Sequence, residues 1–243
     1  MAQRRLGFWR RLVVLLVKPP LTVMTRRTWT GMHHVPTRGP VILVANHLSH
    51  TDPLICAHYV YDAGRWPRFL AKAAVFRIPV AGWLLRQVRQ IPVERGSADA
   101  VRSLDDAVQA LQRGAAVVIY PEGTITGEPG LWPMRGKTGA ARLALATGAP
   151  VIPLAMWGPQ LIFDPRTRKL RPRPRTPVAV AAGPPVPLDR WVGAVPTRAI
   201  LEEMSDTIML AIRDLLSELR DGPPPPLFQP APADRALRGG EAR

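Results

Sequence analysis

Apolar runs and polar breaks alternate along the chain in a rhythm that predicts strands and helices in turn. Short apolar runs at 41–45, 115–120, 151–157 and 178–182 are bounded by Gly, Pro or polar clusters and have the continuity of buried strands. Residues 69–71 and 90–93 predict two shorter ones. Between them, 53–61, 80–88, 97–112, 139–147 and 197–220 read as helices. In 97–112, Val101, Leu104, Ala107, Val108 and Leu111 make one helical face, and Gly114 ends it. In 197–220, Ile200, Met204, Ile208, Ala211 and Leu215 fall on one stripe. This alternation argues for an α/β fold: a layered mixed or parallel sheet with flanking helices. From Asp221 the chain turns Pro-rich and polar, which predicts a disordered tail over 221–243.

The first thirty residues depart from that rhythm. An apolar run at 12–17 lies between Arg10–Arg11 and Lys18–Pro19–Pro20, with Phe8 and Trp9 just before it. A spanning helix needs about 20 apolar residues, so this run is too short to cross a bilayer. A secretory leader would carry a longer apolar region and a small-residue cleavage site. An Arg-rich apolar helix with aromatic residues fits the membrane interface instead. The expected organisation is an N-terminal membrane-interacting helical segment over 1–33, a domain over 34–220 and the tail.

Charge narrows the partners. Lys and Arg number 33 against 18 Asp and Glu, a net charge of +15. Such a field draws polyanions, either nucleic acid or anionic lipid. No helix-turn-helix, zinc-ligand or aromatic RNA-binding signature is evident, so no nucleic-acid partner is expected. The basic stretch Arg166, Arg168, Lys169, Arg171, Arg173 and Arg175 is either a solvated loop or a contact for anionic lipid or an acidic carrier protein. The single cysteine, Cys56, rules out a disulfide within the chain and suits core packing.

In α/β sheets, sites gather where strands end. Three polar clusters fall at such positions: 46–53 after the run at 41–45, 121–124 after 115–120, and 94–96 after 90–93. In the first, His47 and Asp52 suit a general base and its orienter. A neutral imidazole can take a proton from a hydroxyl, and a carboxylate on its other nitrogen fixes the tautomer. Five residues would place them apart around a helix, so the pair requires a bend, which the polar loop supplies. With five His and eleven Asp in 243 residues, one such spacing has roughly a one-in-four chance of arising at random. Asp52 before Pro53 is equally a helix N-cap. His33, His34, His50 and His58 show no ligand spacing and read as packing or loop residues.

The order of motifs adds what the pair lacks. Asn46-His47 followed by Asp52 resembles the first motif of the glycerolipid acyltransferases of the lysophosphatidic acid acyltransferase type. Phe69-Leu70-Ala71-Lys72, Phe76-Arg77-Ile78-Pro79, Gly82-Trp83 and Ile91-Pro92-Val93-Glu94-Arg95 together are similar to its second block. Tyr120-Pro121-Glu122-Gly123-Thr124 is similar to the third and Val151-Ile152-Pro153-Leu154 to the fourth. Gly183-Pro184-Pro185-Val186 stands where such proteins carry a Gly-x-Pro turn.

The resemblance implies an O-acyltransferase that moves a fatty acyl group from a coenzyme A or acyl carrier protein thioester to the hydroxyl of 1-acylglycerol-3-phosphate, giving phosphatidic acid. His47 would be the base and Asp52 its partner. Arg95, Glu122 and Gly123 would bind the glycerol phosphate, with Thr124 and Lys72 as further candidates. No metal or cofactor is implied. The setting would be the cytoplasmic face of the cell membrane, as a peripheral or monotopic protein contacting anionic lipids. The family commonly carries Arg and then Ser after Glu-Gly-Thr, whereas this chain has Ile125 and Thr126. Arg135 and Lys137 stand close enough in sequence to replace that guanidinium. Glycerol-3-phosphate or another lipid or glycan hydroxyl is the alternative acceptor, and a non-catalytic basic module binding membrane or nucleic acid is the alternative of another class.

Overall fold

The computed structural model describes residues 7–93, 99–171 and 173–229. Helix α1 (Phe8–Met24) leads into strand β1 (Thr25–Thr30), and a 3-10 turn (Met32–His34) leads on to β2 (Val41–Ala45). Next come α2 (Asp52–Asp62), β3 (Pro67–Lys72), a 3-10 turn (Ala73–Arg77), α3 (Ala81–Gln87) and β4 (Ile91–Val93). Helix α4 (Asp99–Gln112), β5 (Ala116–Ile119), α5 (Gly139–Thr147) and β6 (Val151–Trp157) come after them. The short α6 (Pro159–Ile162) and the hairpin β7 (Phe163–Asp164) and β8 (Lys169–Leu170) precede β9 (Thr176–Ala182) and the long α7 (Arg198–Arg220).

Seven strands form one sheet in the order β1-β9-β6-β2-β5-β3-β4. Neighbours run parallel except β6 and β9, so the sheet is mixed. Strand β2 lies at its centre, and all five of its residues are buried. Because side chains alternate across a strand, Ile42 and Val44 pack with Leu111 of α4, Leu143 of α5 and Ile208 of α7 on one face. Val41 and Leu43 pack with Ile55 and Tyr59 of α2 on the other. Burial on both faces explains why these strands read as unbroken apolar runs. A Cβ at Gly82 would stand 2.1 Å from the Phe76 carbonyl oxygen, so only glycine lets α3 fold against the preceding turn.

The layered α/β reading holds, with three corrections. The sheet begins at Thr25, inside the segment assigned to the membrane helix, because β1 pairs in parallel with β9. Its sequence, Thr-Arg-Arg-Thr-Trp-Thr, hides the strand behind charge. Three Thr and a Trp favour strand geometry, and arginines suit a sheet edge. Residues 221–229 of the expected tail are also placed against the domain, and 230–243 lie outside the described residues. Phe228 bridges Met134, and its carbonyl accepts from Arg135 N–H at 2.9 Å. Lastly, the buried stripe of α7 is Leu201, Met204, Ile208, Ile212 and Leu216, one residue on from Ile200, Ala211 and Leu215, which are only partly buried.

Candidate active site

Strand β2 delivers Asn46 to the end of the sheet, and Asn46 anchors the start of the loop that carries His47. Its buried amide donates to the Met156 carbonyl (3.0 Å) and accepts from the Met156 N–H (2.8 Å), so a side chain extends the β2–β6 pairing past the last strand residue. The chain then leaves the ladder as a loop and re-enters a helix at Asp52. Asp52 N–H donates to the Ser49 carbonyl at 3.1 Å, the bend that a five-residue separation requires.

That bend brings His47 Nδ1 within 2.7 Å of Asp52 Oδ2. A carboxylate only accepts, so Nδ1 carries a proton, and in the neutral ring the lone pair is then on Nε2. The same Oδ2 also accepts the backbone N–H groups of Leu48 and Ser49. Asp52 is thus turned back onto the loop before it. Thr51 is the N-cap residue of α2, and the capping reading of Asp52 is replaced by one in which the carboxylate folds the His47 loop. Asp52 is fully buried, and the His47 side chain retains 16% of its exposure. The imidazole lies on the Tyr120 ring, with centroids 4.3 Å apart and planes at 22°.

Glu122 sits behind the histidine. One carboxyl oxygen accepts from His47 N–H (2.9 Å) and the other from Met134 N–H (3.1 Å). Thr126 N–H donates to the His47 carbonyl at 2.8 Å, so both backbone groups of His47 are held by the loop after β5. Burial pushes the Glu122 carboxyl up to about 8, against the pull of its two amide donors and Thr126. The expected contact between Glu122 and a glycerol phosphate is therefore corrected: both oxygens face inward and are engaged by backbone. A motif marks a residue but not the direction of its side chain.

A cavity of about 770 Å³ opens beside His47. Its walls are mostly apolar, with Val13, Val17 and Leu21 from α1, Ala57 from α2, and Phe69 and Leu70 from β3. Lys72, Gly123 and Lys137 line it too, while Thr124 stands in the turn outside its wall. Gly123 has φ +72°, and a Cβ there would meet Lys137 Nζ at 3.1 Å, so glycine makes room for that ammonium. Arg135 forms a two-bonded pair with Asp206 (2.7 and 2.9 Å) and does not replace the missing guanidinium. Arg95 lies outside the described residues. Cys56 is buried and its thiol is pushed up by desolvation, as a packing residue's would be. Sequence reasoning missed Asn46, Tyr120 and Thr126 as parts of the site. Asn46 directly before His47 and Tyr120 at the head of the third motif were the available signals.

An imidazole held by a carboxylate lines a mostly apolar cavity with Lys72 and Lys137 in its wall, an arrangement that can take a proton from a group bound there. Residues 26–157 match the Acyltransferase family, and the chain belongs to it. It is 31% identical over 130 residues to the chloroplastic 1-acyl-sn-glycerol-3-phosphate acyltransferase BAT2 of Brassica napus, covering 53% of this chain and 36% of that one. It is 37% identical over 120 residues to the lyso-ornithine lipid O-acyltransferase of Pseudomonas aeruginosa, covering 49% and 43%. The chain thus spans about half or less of the length of these relatives. The fold matches the crystal structure of the 1-acyl-sn-glycerophosphate acyltransferase PlsC of Thermotoga maritima with a TM-score of 0.63 at 22% identity, covering 89% of this chain and 83% of that one.

Proposed function

We propose that this protein transfers a fatty acyl group from a thioester, on coenzyme A or acyl carrier protein, to the hydroxyl of 1-acylglycerol-3-phosphate, giving phosphatidic acid. The observation that carries the reading is the His47–Asp52 contact of 2.7 Å beside an apolar cavity of about 770 Å³. His47 Nε2 takes the proton of the acceptor hydroxyl, and the oxygen attacks the thioester carbonyl carbon. The carbon–sulfur bond of the resulting tetrahedral adduct breaks, and the departing sulfur takes the proton from the imidazolium. Asp52 keeps the ring in the tautomer that permits both transfers. The acyl chain lies along the apolar wall formed by α1 and β3. Lys72 and Lys137 meet the acceptor phosphate, the second in place of the arginine that Ile125 displaces. The protein works at the cytoplasmic face of the membrane, held peripherally through α1, which leaves Phe8, Leu15, Leu16 and Val23 exposed.

Ile125 and the similarity to the lyso-ornithine lipid enzyme favour one second reading, in which the acceptor is a lyso-ornithine lipid. An acceptor panel separates them. The purified chain is given an acyl thioester with lysophosphatidic acid, glycerol-3-phosphate or lyso-ornithine lipid, and the products are identified by mass spectrometry. Phosphatidic acid as the dominant product supports the first reading. Acylated ornithine lipid without phosphatidic acid overturns it.

A further inference from the structure

The catalytic end of the sheet carries a second feature that the reaction leaves unused. Strand β6 runs parallel to β2 and ends at Trp157, and Met156 is clamped by Asn46. Strand β9 returns antiparallel, with Trp157 opposite Ala179, and β1 starts with Thr25 opposite Thr176. The starts of β1 and β9 therefore share one end of the sheet with the His47 loop. The β7–β8 hairpin stands there between β6 and β9. It is tied to the catalytic loop where Ser49 Oγ donates to the Phe163 carbonyl (2.7 Å) and the His50 ring meets Phe163 edge-on at 5.3 Å, and the preceding α6 is tied where Thr51 Oγ1 donates to the Pro159 carbonyl (3.1 Å).

All six cations of this segment, Arg166, Arg168, Lys169, Arg171, Arg173 and Arg175, are exposed. Among the described residues, one carboxylate, Asp164, answers them by accepting from Arg171 at 3.1 Å. The basic surface continues onto the end of α1, where Arg175 N–H donates to the Val23 carbonyl and exposed Arg26 stands alongside. Apolar residues sit among the cations: Leu170 is 60% exposed, Leu161 43% and Val23 68%. A solvated basic loop gives exposed leucines no partner, and a soluble polyanion does not bury them. A layer of anionic headgroups over acyl chains receives both kinds of side chain at once.

We propose that the β7–β8 hairpin is a second membrane contact. Together with the exposed apolar face of α1, it seats the catalytic end of the sheet on anionic lipid. The inference rests on the reading that the acceptor is a membrane lipid. It adds that orientation on the surface, and so access of the lipid hydroxyl to His47, is set from two sides of the loop. Each cation near an anionic surface strengthens binding about fivefold.

The test uses the full chain, phosphatidylglycerol–phosphatidylcholine vesicles and phosphatidylcholine vesicles, at low and high salt. The variants are Lys169→Glu/Arg173→Glu/Arg175→Glu and, separately, Leu170→Ser. A parallel assay measures thioester KM with a short-chain, water-soluble acceptor and no vesicles. The parent is expected to prefer anionic vesicles and to release at high salt. The charge reversal should lose at least tenfold in partitioning, Leu170→Ser should lose severalfold at both salts, and both should keep the parent's KM. Undiminished vesicle binding by both variants overturns the hairpin's role and leaves that of α1 standing. A parent that binds no vesicle overturns membrane association and the hairpin proposal with it. A raised thioester KM with vesicle binding intact overturns the proposal in favour of docking of the thioester carrier.

Discussion

Glu122 is the residue whose role changes most between sequence and structure. It acts on His47 through the backbone, since its carboxyl accepts the His47 and Met134 N–H groups and contacts no open space. Glu122→Gln turns an amide NH₂ toward one of those donors and leaves it unsatisfied, which costs about 1–3 kcal/mol of stability. Because the loop then holds the imidazole less firmly, kcat is expected to fall at least about tenfold while the acceptor KM changes little. A residue that bound phosphate directly would raise KM instead. The carboxyl also leaves a signature in stability against pH. Its pKa is raised from 4.5 in the unfolded chain to about 8 in the fold, so the folded state holds the proton more tightly. That contribution is complete below the unfolded value and is lost as pH rises through about 8. Denaturant titrations of parent and Glu122→Gln at acid, neutral and alkaline pH should show the slope in the parent and its absence in the variant. Equal slopes would assign the pH dependence elsewhere. The His47–Asp52 pairing was legible from spacing and motif order, whereas the direction of Glu122 was not, because motif spacing carries no information on which way a strand-end carboxylate turns.

At the scale of elements, legibility followed burial. Strands β2 and β5 are buried throughout, and β6 at all but its last residue, and they announced themselves as apolar runs. Strand β1 is an edge strand whose two arginines mask the strand preference of its three Thr and its Trp, so the run reads as a basic linker. The α7 stripe was misplaced by one residue because apolar positions cover more than half the helix, and packing against β6 and α5 selected the face. Helix α1 extends through Pro19 and Pro20 and forms one wall of the cavity, so it serves the site as well as the surface. Deleting residues 1–30 would remove β1 along with α1 and damage the sheet. Leu15→Ser/Leu16→Ser probes the surface alone, since both side chains are exposed. Its stability should stay within about 0.5 kcal/mol of the parent, as surface substitutions do, while partitioning onto vesicles falls. Unchanged partitioning would remove α1 from the membrane contact.

For the whole molecule, the net charge of +15 suggested a polyanionic partner without saying where. Folding resolves part of that charge. Six cations gather on the β7–β8 hairpin and the segment leading from it to β9, at the catalytic end of the sheet, whereas Arg65 is buried at the other end, donating to the Pro36, Gly39 and Gly114 carbonyls. The same end holds the imidazole and the end of α1, so in the proposed reaction a lipid acceptor would meet its base at one pole. The most direct measurement is thiol release from an acyl thioester in the presence of lysophosphatidic acid, by the full chain and by His47→Ala and Asp52→Asn. With the imidazole as base, His47→Ala should slow release by about 10²- to 10⁴-fold, and Asp52→Asn should also lose turnover because the tautomer is no longer fixed. A folded His47→Ala variant that releases thiol as fast as the parent would contradict it.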